Sequence, residues 1–296
     1  MSKSPPSSNA HLEFIAPSDD MAGVLHTLVI TRTGAGRSES IMPAYSAQLF
    51  SFVEGTGAIQ FSDSDVFESA DISLNAPMMR AAPMMFDGPV LNVGASFTPL
   101  GWAAFSGLAA DKFHDRAFTA EEIVPADALA QARAALAKAR DGTMPIEHFA
   151  RALEDMIRQV CANPKRKPKA DHVELVAAIE AWLDSAFNPP VEALYDAVDL
   201  GQRQVQRLCR RYFGVPPAQL IKRYRAIRAA ILLAHEDLSD EKRDEVLSAY
   251  FDQAHLIHDI RRYTGRTPKG LAKETLAVDM LDPDGHGEAG RKLRDD

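Results

Sequence analysis

Residues 191–214 read VEALYDAVDLGQRQVQRLCRRYFG, and the spacing inside this stretch sets the architecture of the C-terminal third. Val191, Leu194 and Val198 place apolar side chains on one face of a short helix that follows Pro189-Pro190. Asp199-Leu200-Gly201 interrupts it, and helical periodicity resumes from Gln202 to Phe213. There Val205, Leu208, Cys209 and Tyr212 stand at i, i+3, i+4 and i+7, which makes one buried stripe. The opposite face carries Gln202, Arg203, Gln206, Arg207 and Arg210. A short helix, a tight turn and a helix with long hydrogen-bonding side chains outside is the layout of a helix-turn-helix. Arg and Gln suit that role because they make bidentate contacts to guanine and adenine edges in the major groove. Taken alone, the segment fits any helical pair with a charged surface equally well.

The residues that follow shift the balance. Gly214 ends the helix as a left-handed cap, and Pro216-Pro217 opens the next one. That helix runs through Leu220, Ile221, Tyr224, Ile227 and Ile231, with Lys222, Arg223, Arg225 and Arg228 between them. From Leu200 to His235 there are eight Lys or Arg and no Asp or Glu, a basic block of the kind that finds phosphate backbones. Ser239 then reads as an N-cap with Asp240 and Glu241 in the first turn, Val246 and Leu247 supply apolar anchors, and a break falls near Tyr250-Phe251. Asp252 caps a helix from Gln253 to Tyr263, which Gly265 and Pro268 terminate. Helix, turn, helix thus occurs twice, joined by one long basic helix. Gln253, His255, Arg261 and Arg262 are the candidate DNA contacts of the second unit.

Leu200 to Leu208 with Tyr212-Phe213-Gly214-Val215-Pro216-Pro217 resembles the first helix-turn-helix of AraC/XylS transcription regulators. Ala249 to Leu256 with Arg261-Arg262-Tyr263-Thr264-Gly265-Arg266-Thr267-Pro268 resembles the second unit and the family's C-terminal signature. The resemblance spans about a hundred residues, with both units in order. It implies a two-headed reader whose recognition helices enter successive major-groove segments of double-stranded DNA. Two departures stand out. Ala249 occupies a turn position where the family has Gly, which costs roughly 1 kcal/mol if positive φ is needed there. The run Asp240-Glu241-Lys242-Arg243-Asp244-Glu245 sets carboxylates near the expected phosphates. The second unit is therefore expected to bind more weakly than the first. His255 and His258 stand at i, i+3 but have no third ligand at helical spacing, so no metal site is assigned.

Upstream, the expected linker is 163–170, where Asn163-Pro164-Lys165-Arg166-Lys167-Pro168-Lys169 cannot continue a helix. Before it, 101–108, 125–140 and 146–161 read as helices. Short Val-, Ile-, Leu- or Phe-rich segments at 24–31, 48–53, 58–61 and 90–97, punctuated by Gly and Pro, read as strands of a small sandwich or barrel. Ser40 to Pro43 with Leu49 to Phe52, and later Val93 to Gly101, resemble the cupin-like sensor half of one branch of the same family. The segment 77–86 holds four Met, whose flexible side chains suit an adaptable apolar pocket, core packing or a loose loop. The expected fold is thus α+β in two domains. A β-rich, cupin-like domain with C-terminal helices spans 1–162, an all-α domain with two helix-turn-helix units spans 171–276, and a disordered tail is expected over 277–296.

The chain has 296 residues, 46% hydrophobic and 25% charged, as in globular proteins. No apolar run is long enough to span a membrane and the polar N-terminus lacks a secretory core, so a cytoplasmic protein is expected. Its two cysteines, Cys161 and Cys209, read as free thiols. The formal charge of −8 argues against indiscriminate nucleic-acid binding, so the local basic block matters more than the total. The β-rich half has no His pair at short spacing, and no nucleophile elbow, P-loop or dinucleotide-binding glycine pattern occurs, so neither enzyme activity nor a cofactor is expected. The leading reading is a sequence-specific DNA-binding regulator whose N-terminal half senses a small-molecule effector or mediates homodimerisation, with RNA polymerase as a further partner. The alternative is a small-molecule binding module whose helical half has lost DNA binding. An enzyme on a cupin scaffold is the remote third.

Overall fold

The computed structural model of the protein describes residues 11–164, 167–234 and 238–271. Its strands are β1 (His11–Ile15), β2 (Leu25–Arg32), β3 (Gly36–Met42), β4 (Gln48–Ser62), β5 (Asp65–Glu68), β6 (Ile72–Asn75), β7 (Ala82–Phe97) and β8 (Ala117–Thr119). They form one antiparallel sheet in the order β1-β2-β7-β4-β6-β8, with β3 added to β7 and β5 to β4. Because side chains alternate between faces, the register assigns each residue to a side. Leu28, Ala95, Leu49 and Leu74 lie opposite one another across four strands and are all buried.

That face is covered by helices α1 (Pro99–Ser106), α3 (Ala126–Arg140) and α4 (Ile146–Ala162), while the short α2 (Ala110–Phe113) leads toward β8. Trp102 and Phe105 of α1, Leu129 and Leu136 of α3, and Phe149, Leu153 and Ile157 of α4 share one core with the sheet. Residues one step along each strand point the other way, toward an open hollow. Glu154 of α4 is buried and accepts hydrogen bonds from the Ser18 amide (2.6 Å), the Ser18 hydroxyl (2.9 Å) and Arg151 (2.8 Å). Burial raises its carboxyl, but these bonds and the nearby guanidinium outweigh that and hold it below the usual range.

Sequence periodicity misjudged three pieces of this sheet. Segments 48–53 and 58–61, expected as two strands, are one strand, β4, which bends through register shifts at Phe52/Glu54 and Glu54/Thr56. The Met-rich stretch is half strand, since Ala82 to Phe86 begins β7 and pairs with β3. β3 itself, GRSESIM, carries no apolar alternation because it runs along the margin of the sheet.

The remaining helices are α5 (Ala170–Asp184), α6 (Val191–Asp196), α7 (Gln202–Phe213), α8 (Pro217–Ala234), α9 (Asp240–Ser248), α10 (Gln253–Thr264) and α11 (Pro268–Leu271). Two cores form along α8. Its first half joins α5, α6 and α7 through Leu220 and Ile221, and its second half joins α9, α10 and α11 through Ala229 and Ala230. Ala103 of α1 belongs to the first of these cores, so the helical half is packed on the β-rich half. The molecule is thus a β-rich N-terminal part with attached helices, followed by an all-helical part. The expected tail at 277–296, and residues 165 and 166 of the expected linker, lie outside the described residues.

Candidate nucleic-acid interface

In the first unit, α6 and α7 are joined by a turn ending at Gly201, the N-cap of α7. Val205, Leu208, Cys209 and Tyr212 are buried, as their spacing requires. His172 Nδ1 and the Tyr212 hydroxyl, 2.9 Å apart, tie α5 to α7. Burial pushes the Cys209 thiol up to about 12, so it packs as a neutral side chain and donates to the Val215 carbonyl at 3.1 Å. On the other side Gln202, Arg203, Arg207 and Arg210 are exposed. Gln206 is half-buried and donates to the Tyr195 hydroxyl at 3.1 Å, which turns it toward α6. No acid occupies the first turn of α7, so nothing there offsets the partial positive charge of the helix end.

The basic block of α8 is placed differently from that of α7. Lys222 Nζ lies 3.1 Å and an Arg225 nitrogen 3.7 Å from Asp259. Arg225 also lies over the Tyr250 ring, 4.4 Å from its centroid. Arg228 is buried, donates to the Ala186 carbonyl at 2.9 Å and pairs with Asp184. Arg223 is buried against Met79, with its nitrogen 3.2 Å from the sulfur. Of the eight cations between 200 and 235, these four serve internal packing.

In the second unit, Ser239 caps α9 through the Lys242 amide (3.3 Å), and Asp252 caps α10 through the His255 amide (2.7 Å). Ala249 has φ −76°, an ordinary right-handed conformation, so the expected penalty for a missing glycine does not arise. Gln253, Arg261 and Arg262 are exposed. The His255 ring instead folds back, its Nε2 3.2 Å from the fully buried Asp259 carboxylate and the ring in a T-shaped contact with Tyr250. His258 Nδ1 reaches the same carboxylate at 3.3 Å. Asp259 therefore ties α10 to α8 through Lys222 and Arg225, while both histidines approach it from its own helix. Periodicity held a clue to it: Asp259 falls in the stripe of Leu256, Ile260 and Tyr263, where a carboxylate requires buried partners. Among the described residues no group of three metal-ligating side chains is assembled.

Helices α7 and α10 both end against the β-rich half. Gly214, at φ +84°, caps α7, and a side chain there would come within 2.8 Å of the Met79 methyl. Gly265, at φ +72°, caps α10, and a Cβ there would lie 2.4 Å from Ile41 Cγ2. The backbone joins in, with the Ala81 amide donating to the Arg262 carbonyl (3.0 Å) and the Ala44 amide to that of Tyr263 (2.6 Å). These bonds satisfy carbonyls that a helix end leaves unpaired. Arg266, buried, donates to the Ile41 carbonyl (2.9 Å) and the Ser40 hydroxyl (3.0 Å). Its role in this contact had no signal in the sequence, because its partners are more than two hundred residues away.

Residues 194–274 match a family described as a helix-turn-helix domain, of the AraC type. No protein of curated function matches the sequence. Among solved structures, the chain is similar to ToxT from Vibrio cholerae O395, at 11% identity and a TM-score of 0.47, over 93% of this chain and 98% of that one. It is also similar to ToxT from Vibrio cholerae strain SCE256 bound to an unsaturated fatty acid, at 9% identity and a TM-score of 0.46, over 95% and 98% of the two chains. The AraC-like transcriptional activator CuxR matches at 11% identity and a TM-score of 0.33, over 82% of this chain and 87% of that one.

Proposed function

We propose that this chain, whose residues 194–274 are a helix-turn-helix domain of the AraC type, regulates transcription by reading a specific double-stranded DNA sequence. In this reading α7 and α10 enter successive major-groove segments, and α7 is the principal reader. The observation that carries it is the outer face of α7, where Gln202, Arg203, Arg207 and Arg210 are exposed on a helix without an acid in its first turn. The second unit contributes less, through Gln253, Arg261 and Arg262, because His255 is engaged by Asp259 and α9 exposes Asp240, Glu241, Asp244 and Glu245. The N-terminal half senses an effector, and its attachment to both helix caps gives that signal a route to the DNA-binding half.

Selection of genomic fragments by the purified protein, followed by footprinting, tests this. Two protected stretches centred about one DNA turn, roughly 10 base pairs, apart are expected. Affinity should fall steeply as salt rises, through counterion release. Failure to enrich any sequence at physiological salt contradicts the reading. It would favour instead a small-molecule binding module without DNA affinity, the alternative that the acidic α9 supports.

A further inference from the structure

The side of the sheet that faces away from α1, α3 and α4 encloses a half-open cavity of about 110 Å³. Its floor follows from the register. Thr27, Ser96, Gln48 and Asn75 lie opposite one another across β2, β7, β4 and β6, forming a polar rung at one end. Four residues along β7, Asn92 sits between Thr31 and Phe52 at the other end. At the rise of a strand, the two rungs are about 13 Å apart. Phe14, Phe50, Phe67 and Phe86 supply apolar wall between them.

Two features define what such a cavity takes. None of its lining residues is Asp, Glu, Lys, Arg or His, so an ionised guest would lose its hydration without gaining a counter-charge. Asn75 and Asn92 are 2% and 7% exposed, and Asn75 Oδ1 and Asn92 Nδ2 have no hydrogen-bond partner. Buried amide atoms are ordinarily paired, and an unpaired one at each end of an apolar hollow leaves one acceptor and one donor for a guest.

We propose that this cavity binds an uncharged, elongated apolar molecule with a hydrogen-bonding group at its ends, held by Asn75 and Asn92. The proposal deepens the effector-sensing part of the function above and rests on it. Met42 and Tyr45 also line the cavity. Met42 adjoins Ile41, whose carbonyl accepts from Arg266, and Tyr45 adjoins Ala44, whose amide donates to the Tyr263 carbonyl of α10, so occupancy bears directly on that attachment.

The test compares 1,8-octanediol with its dianionic counterpart suberate at pH 7.5, by saturation-transfer NMR on the full chain. The diol hydroxyls can donate to Asn75 Oδ1 and accept from Asn92 Nδ2, whereas suberate brings two charges. Binding of the diol at least tenfold tighter than suberate is expected. Asn92→Leu should weaken the diol at least tenfold while leaving the thermal midpoint unchanged or higher, since it removes an unpaired buried group. Asn75→Leu is read in the same way if Asn92→Leu does not fold. Equal binding of suberate, no binding of either, or unchanged diol affinity in the folded variant overturns the proposal. DNA binding measured on the same unliganded protein separates the two claims. A protein that binds DNA but not the diol loses only the cavity proposal, and one that binds the diol but no DNA loses only the regulator reading.

Discussion

Asp259 is the residue on which the second unit turns. It is fully buried, and the groups around it are Lys222, Arg225, His255 and His258. Removing one partner of a buried ion pair leaves the others uncompensated, so Asp259→Ala should cost about 3–5 kcal/mol. Thermal unfolding followed by tryptophan-independent probes such as circular dichroism would register the loss. Asp259→Asn, which keeps the shape and some hydrogen bonding, should cost less. Glu154 offers a second test, through pH. Its folded carboxyl lies below its unfolded value, so its bonds to Ser18 and Arg151 stabilise the fold above the usual glutamate range. That stability is lost as pH falls through the lowered value. Glu154→Gln should therefore lower the thermal midpoint at pH 7 and flatten its fall between pH 5 and pH 3. A variant whose midpoint falls as steeply as the parent's contradicts this assignment. Neither residue's partners could be read from the sequence. Asp259 falls among Leu256, Ile260 and Tyr263, where its charge is a signal of buried partners, whereas the partners of Glu154, Ser18 among them, lie far away in the chain.

Among the elements, the helices of the C-terminal half were legible because their signals are local. Stripes at helical spacing, the caps Ser239 and Asp252, and the closing glycines Gly214 and Gly265 all act within a few residues. β3 and the bend in β4 were not legible, since the one lacks alternation and the other depends on register shifts against β7. Gly265 joins both kinds of information. Its positive φ was foreseeable from its place after a helix, but its approach to Ile41 was not. Gly265→Ala must accept both the strained backbone and the collision, and should cost about 1–3 kcal/mol. Ile41→Ala relieves only the collision. A double-mutant cycle should therefore show a favourable coupling between the two substitutions, and strict additivity would mean that the two sites do not touch in solution.

At the scale of the molecule, the sequence conveyed two parts and their order but not how they are joined. Met79, Ala81, Ile41 and Arg266 have no pattern in common, and each contact spans well over a hundred residues. The outcome matters for function, because four of the cations counted as a DNA-facing block hold α8 against its surroundings. What remains outward is the face of α7. The most direct test is hydroxyl-radical footprinting of the selected operator with two double variants, Arg203→Ala with Arg207→Ala and Gln253→Ala with Arg261→Ala. Each lost major-groove contact is worth about 1–3 kcal/mol, so two together lower affinity by at least tenfold. The α7 variant should lose protection over both half-sites, while the α10 variant should keep the first. Full protection by the α7 variant, with loss confined to the α10 variant, would contradict the assignment of α7 as principal reader.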